Sequence, residues 1–166
     1  MAELIKKKLQ ESKLPTADVQ PTGNSHPLFH DRYCSSFNQV TNPKATPRAR
    51  QDASGALCTL SANEGNDQRL IDAGFHISSC LLLLDPKAHP TPRAKEYAAR
   101  ALAHLALNAE NHPYLVAAGV HVSLNKLLAD PRTSPRAKKN AARAFGLIAP
   151  LHIPAKIING MTIKRT

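Results

Sequence analysis

Thr91-Pro92-Arg93-Ala94-Lys95 is the middle copy of a pentapeptide that also occurs as Thr46-Pro47-Arg48-Ala49-Arg50 and as Ser134-Pro135-Arg136-Ala137-Lys138. The copies start at 46, 91 and 134, steps of 45 and 43 residues. Other landmarks keep the longer step. Asn66 returns as Asn111, Ala73-Gly74 as Ala118-Gly119, and Asp85-Pro86 as Asp130-Pro131. A period in this range belongs to stacked units of two or three helices. Such a unit cannot bury its apolar face alone, so it leans on copies of itself.

Working outward, each unit divides into three helices. Ser or Thr before Pro is a helix start: the hydroxyl caps the first turn, and Pro takes the position whose N–H has no partner anyway. Third helices are therefore predicted over Arg48 to Ser61, Arg93 to Leu107 and Arg136 to Ala149. First helices run about Asn66 to Asp72 and Asn111 to Ala117, closed by Ala-Gly, because Gly past a helix end takes the left-handed conformation without a Cβ penalty. Second helices run Phe75 to Leu84 and Val120 to Ala129, stopped by Asp-Pro.

The ends of the array read differently. Ser35 to Pro43 aligns without gaps on Ser78 to Pro86, but Asn38, Gln39 and Thr41 stand where the later copy has Leu81, Leu82 and Leu84. A terminal unit has one face in water, so polar substitution suits it. Residues 28–149 thus form the repeat domain, a partial repeat plus two nearly full ones. Residues 1–27 read as a short amphipathic helix, with Leu4, Ile5 and Leu9 opposite Lys6-Lys7-Lys8, and a polar linker. In residues 150–166, Lys156-Ile157-Ile158-Asn159-Gly160 echoes a first helix, so this stretch reads as a C-terminal cap or a truncated repeat. Ile153, Ile157, Ile158 and Ile163 then need cover, and burying each is worth roughly 1.5–3 kcal/mol. The expectation is that they fold back on the array or pair with a second copy of the chain. Deleting residues 150–166 should therefore lower the melting temperature or change the oligomer mass; a deletion that alters neither removes the capping idea.

The chain has 166 residues and a formal net charge of +10. Trp is absent and aromatics make up only 4%, so Ala and Leu must fill a core of closely spaced helices. The charge predicts attraction to acidic partners, and it is uneven: no acidic residue follows Asp130, while eight basic ones do. Cys34, Cys58 and Cys80 lack paired spacing and read as reduced thiols packed in a core. Residues 1–14 are too polar for a secretory signal, and no apolar run reaches membrane-spanning length. The reading is a cytoplasmic or nuclear protein without a membrane span.

These units resemble armadillo repeats over about Tyr33 to Ala149. The matching residues are Ala56-Leu57-Cys58-Thr59-Leu60, Asn66 and Leu70-Ile71-Asp72-Ala73-Gly74, which recur as Ala101-Leu102-Ala103-His104-Leu105, Asn111 and Leu115-Val116-Ala117-Ala118-Gly119. The resemblance implies an all-α, right-handed superhelical solenoid of three-helix repeats, whose third helices line a concave groove for extended peptides or protein surfaces. Importin-alpha-like repeats place Trp and Asn on the third helix to clamp basic peptides. Those positions here are Gly55 and Thr59, Arg100 and His104, and Arg143 and Leu147, and arginine there would repel a basic peptide. A basic groove for acidic partners, the beta-catenin-like arrangement, fits the charge better.

A helical wheel reaches the same surface without the family. On the helix from Arg93, Ala98, Ala101, Leu102 and Leu105 share one face at about 100° per residue, and Ala99 and Ala106 form a second, close-packing face. Arg93, Tyr97, Arg100 and His104 occupy the remaining side, since steps of three and four keep residues in one stripe. The corresponding stripes are Arg48, Asp52, Gly55, Thr59 and Arg136, Asn140, Arg143, Leu147. The candidate partner-binding residues are accordingly Arg48, Arg93, Tyr97, Arg100, His104, Arg136, Asn140 and Arg143. Guanidinium groups suit carboxylates and also phosphates, so an acidic peptide or protein is the first expected partner and nucleic acid the alternative. Stacking aromatics for single strands are nearly missing. Other signals are weak. His26, His30 and Cys34 have helical spacing but no fourth metal ligand. Thr46, Thr91 and Ser134 precede Pro-Arg as proline-directed kinases accept, yet capping already accounts for them. Gly-rich phosphate loops, GxSxG and HExxH are absent, and Asp52 is the only carboxylate in the stripes, so no enzyme activity and no cofactor is expected.

Overall fold

The computed structural model describes residues 36, 39–40, 42, 44–84 and 90–149. Expectations for the N-terminal helix and linker, for His26, His30 and Cys34, for Asn38 and Thr41, for Asp85-Pro86 and for residues 150–166 lie outside the described residues.

Seven α-helices make up the described chain: α1 (Pro47–Leu60), α2 (Asp67–Asp72), α3 (Phe75–Leu84), α4 (Pro92–Leu105), α5 (His112–Ala117), α6 (Val120–Ala129) and α7 (Pro135–Ile148). No strand occurs among the described residues. The lengths run 6, 10, 14 through α2, α3 and α4 and again 6, 10, 14 through α5, α6 and α7. Single turns of 3-10 helix, Glu64–Asn66 and Ala109–Asn111, lead into the two short helices. The sequence reading began those helices at Asn66 and Asn111; the backbone there is wound more tightly first.

The starts and stops follow from named atoms. Thr46, Thr91 and Ser134 each have extended backbone and accept, on the side-chain oxygen, the N–H of Ala49, Ala94 and Ala137 at 3.1, 3.0 and 3.2 Å. Pro47, Pro92 and Pro135 open the helices behind them. Gly74 and Gly119 both have φ of 72°. An added Cβ would meet nothing closer than 4.0 Å at either, so only the left-handed backbone demands glycine there.

Packing places α4 at the centre. It contacts α1 on one side, α7 on the other and α3 beneath; α3 also packs on α6, and α6 on α7. Alanine permits this closeness: Ala94, Ala98, Ala99, Ala101, Ala103 and Ala106 are all at most 2% exposed. Leu57, Leu70, Leu102, Leu105, Leu115, Leu124 and Ile148 are wholly buried around them, with Phe75. Cys58 and Cys80 are buried free thiols in this core. Burial pushes the Cys80 thiol up to about 12, so it stays protonated. On α7, the positions equivalent to Ala99 and Ala103 are Ala142 and Gly146, and both are exposed. That face of α7 has no described helix against it.

Polar bonds between neighbouring units staple the array. Thr91 donates to Gln51 at 2.8 Å, and Lys126 donates to the carbonyl of Leu84 at 3.3 Å. Lys95 reaches Asp130 at 3.5 Å. Among the buried polar side chains, His76 has a titration of its own to explain. His76, 6% exposed, has no hydrogen bond at Nδ1, and burial pushes its pKa from 6.5 down to about 4. The folded state therefore holds the neutral ring, while the unfolded chain takes up a proton near 6.5. This contribution is intact above that value and is lost as the pH falls toward 4. By about pH 5 the loss is about 2 kcal/mol. His76→Phe should flatten that part of a stability-versus-pH curve from chemical denaturation; an unchanged slope would show that His76 is not its source.

Candidate interaction surface

The stripe residues occupy the longest helices, which pack side by side as α1, α4 and α7. Arg48, Arg93, Arg100, Arg136 and Arg143 are exposed, and Tyr97, His104 and Asn140 are half-buried. All eight candidate residues thus reach the surface of one helical layer.

Their surroundings differ in a way spacing alone did not reveal. Arg48 is bound to Asp52 one turn on, at 2.9 Å. Arg136 lies 3.9 Å from Glu96 of α4. Both pairs are largely solvated and stabilise the fold little, but they occupy those two guanidinium groups. Arg93, Arg100 and Arg143 make no hydrogen bond or ion pair among the described residues. The available positive charge is therefore concentrated on α4 and α7. Gly55 is explained by its neighbour: a Cβ there would lie 3.2 Å from the Tyr97 ring. The absent side chain on α1 lets the tyrosine of α4 lie across the helix junction.

His104 is a half-buried member of the stripe. Its Nδ1 is 3.2 Å from the Ser61 hydroxyl, and that hydroxyl donates its one proton to the carbonyl of Cys58 at 2.9 Å. The hydroxyl can then only accept from the ring, so the neutral imidazole carries its proton on Nδ1 and Nε2 is left as an acceptor. Burial lowers the His104 pKa first, and the Arg100 and Arg143 guanidinium groups lower it further. The bond to the Cys58 backbone and the charge of Asp67 act the other way. Burial raises the Cys58 thiol, with Arg100 opposing. No activated nucleophile arises there.

Behind this row lies a junction that the sequence reading did not single out. Asp67, 4% exposed, accepts from Asn108 at 3.1 Å and from Asn111 at 2.9 Å, both on the same carboxylate oxygen. Asn111 also donates to the carbonyl of Leu105, as Asn66 does to that of Leu60 one unit earlier. The recurrence of Asn66 and Asn111 signalled importance, and the structure gives its reason: each amide closes the end of a long helix. Nothing local marked Ser61 or Asp67, whose partners lie 43, 41 and 44 residues away.

Among the described residues, no group of three or more His, Cys, Asp or Glu is placed to hold a metal ion, and no helix is long and apolar enough to cross a membrane. Comparison of the chain with protein-family models, with curated proteins and with solved structures returned no match.

Proposed function

We propose that this protein is a non-enzymatic adaptor of the armadillo-repeat type, a right-handed solenoid that binds an acidic, extended peptide or protein surface along the face formed by α1, α4 and α7. The observation that carries the reading is the set of exposed arginines, Arg93, Arg100 and Arg143, which make no hydrogen bond or ion pair among the described residues and lie beside the half-buried Tyr97 and His104. Guanidinium forks aligned on adjacent helices match carboxylates spaced along an extended chain. Tyr97 supplies flat apolar area between them, and little rotamer entropy is lost in ordering it. The reading places the chain in the cytoplasm or nucleus, with scaffold-like rather than chemical work to do.

The same cations suit a phosphate backbone, and the basic run after Asp130 favours that second reading. One pair of titrations separates them. A Glu-rich extended peptide and a random duplex are each measured across salt concentration. The adaptor reading expects tighter binding of the peptide and a shallow salt slope from few contacts. A duplex that binds more tightly, with affinity falling steeply with salt, would transfer the surface to nucleic acid.

A further inference from the structure

Three features of the molecule have no chemical role assigned so far: the exposed Ala142 and Gly146 face of α7, the buried His76, and the protonation of the tethered His104 imidazole. Only His104 has both a ligand-facing atom and charged neighbours that tell what would sit on it. Resting on the adaptor reading, we propose that Arg100, His104 and Arg143 form a single carboxylate subsite at the centre of the groove, in which His104 takes up a proton on Nε2 as the carboxylate arrives.

The geometry assigns each part. Ser61 engages Nδ1, and no hydrogen bond to Nε2 occurs among the described residues, so Nε2 is the ring atom left to meet a ligand. On the neutral ring Nε2 is a lone pair and would repel a carboxylate oxygen. Protonated, it becomes a charge-assisted donor to that oxygen. The groups acting on the ring come from four elements. Arg100 lies on α4 itself, Arg143 on α7, the Cys58 carbonyl on α1, and Asp67 at the start of α2. The remaining neighbour, α3, carries only the buried His76 and Cys80 as titratable groups. Without ligand, burial and then the Arg100 and Arg143 guanidinium groups disfavour the charged imidazole. A carboxylate seated between Arg100 and Arg143 offsets their field and accepts a hydrogen bond from the protonated Nε2, so the ring's proton affinity rises. Linkage then requires that affinity for the carboxylate rise as pH falls through the range in which His titrates. A phosphate would blur this response, because it titrates in the same range, whereas Glu and Asp side chains stay ionised there.

The test measures binding of a Glu-rich extended peptide to the full chain at about pH 7.5 and about pH 5.5, in two buffers of different ionisation heat so that proton uptake is counted. Wild type is expected to bind on the order of tenfold tighter at the lower pH, with net proton uptake, which corresponds to about one pK unit gained by the ring. His104→Gln keeps a polar side chain that does not titrate, and its affinity should be flat with pH. A flat wild-type response, or a slope that survives in His104→Gln, overturns the subsite while leaving the groove in place. No peptide binding at either pH overturns the groove and the subsite together. Arg100→Gln is expected to weaken the peptide and to raise the proton affinity of free His104, seen in the ring's proton NMR titration. An unmoved titration would separate His104 from the arginines and also count against the subsite.

Discussion

Converting Arg93, Arg100 and Arg143 to Glu should weaken binding of a Glu-rich peptide by at least about 100-fold at low salt, about 3 kcal/mol. The size follows from what each change does. It removes a forked donor and puts a negative charge where the ligand brings another, and like charges brought together cost more than a lost attraction. These side chains are exposed and make no ion pair among the described residues, so replacing them removes nothing that holds the helices together. The control converts Lys6, Lys7 and Lys8 to Glu, which changes the net charge equally. It should cost less than about tenfold if the stripe positions, and not net charge alone, attract the ligand. Equal losses from both triple variants would mean that net charge, and not the stripe, attracts the ligand. The thermal midpoint of the arginine variant should stay close to that of wild type.

Leu102→Ala is expected to cost about 2–5 kcal/mol of folding stability in urea titration, a large share of the roughly 5–15 kcal/mol typical of a domain. Leu102 is wholly buried on the helix that contacts α1, α3 and α7 together. A cavity there is bounded on several sides, so no single helix can settle into it, and the cavity adds to the lost transfer energy. Stacked units share stability through their interfaces, which spreads the damage beyond one unit. Leu107, only two residues past the end of α4 and 50% exposed, gives the comparison: Leu107→Ala should stay within about 0.5 kcal/mol. A loss below about 1 kcal/mol at Leu102 would show that α4 does not carry the array.

Much of this molecule was legible before any coordinates. Helix boundaries are local chemistry: a hydroxyl reaching an N–H three residues on, a ring that fixes φ, a glycine that alone takes φ of 72°. For that reason the bounds read from Thr-Pro, Ser-Pro and Ala-Gly lie within a residue or two of those observed. The stripe was legible for the same reason, because steps of three and four share a helix face whatever surrounds the helix. The 45-residue step further implied that equivalent helices meet. What it left open was their stagger, and stagger decides the site. Side-chain volume sets it, with the Tyr97 ring resting where Gly55 has no Cβ. From that offset follow Glu96 opposite Arg136, Ser61 opposite His104 and Asp67 opposite Asn111. Five arginines of equal rank in the sequence thereby become two that are paired and three that make no hydrogen bond or ion pair among the described residues. A histidine of unknown role gains a defined tautomer from a serine 43 residues away. The chain by itself determined the helices, their period and the sign of their charge. The packing of one unit on the next decided which charges remain for a partner, because contacts across a helix junction depend on shapes that no local rule encodes.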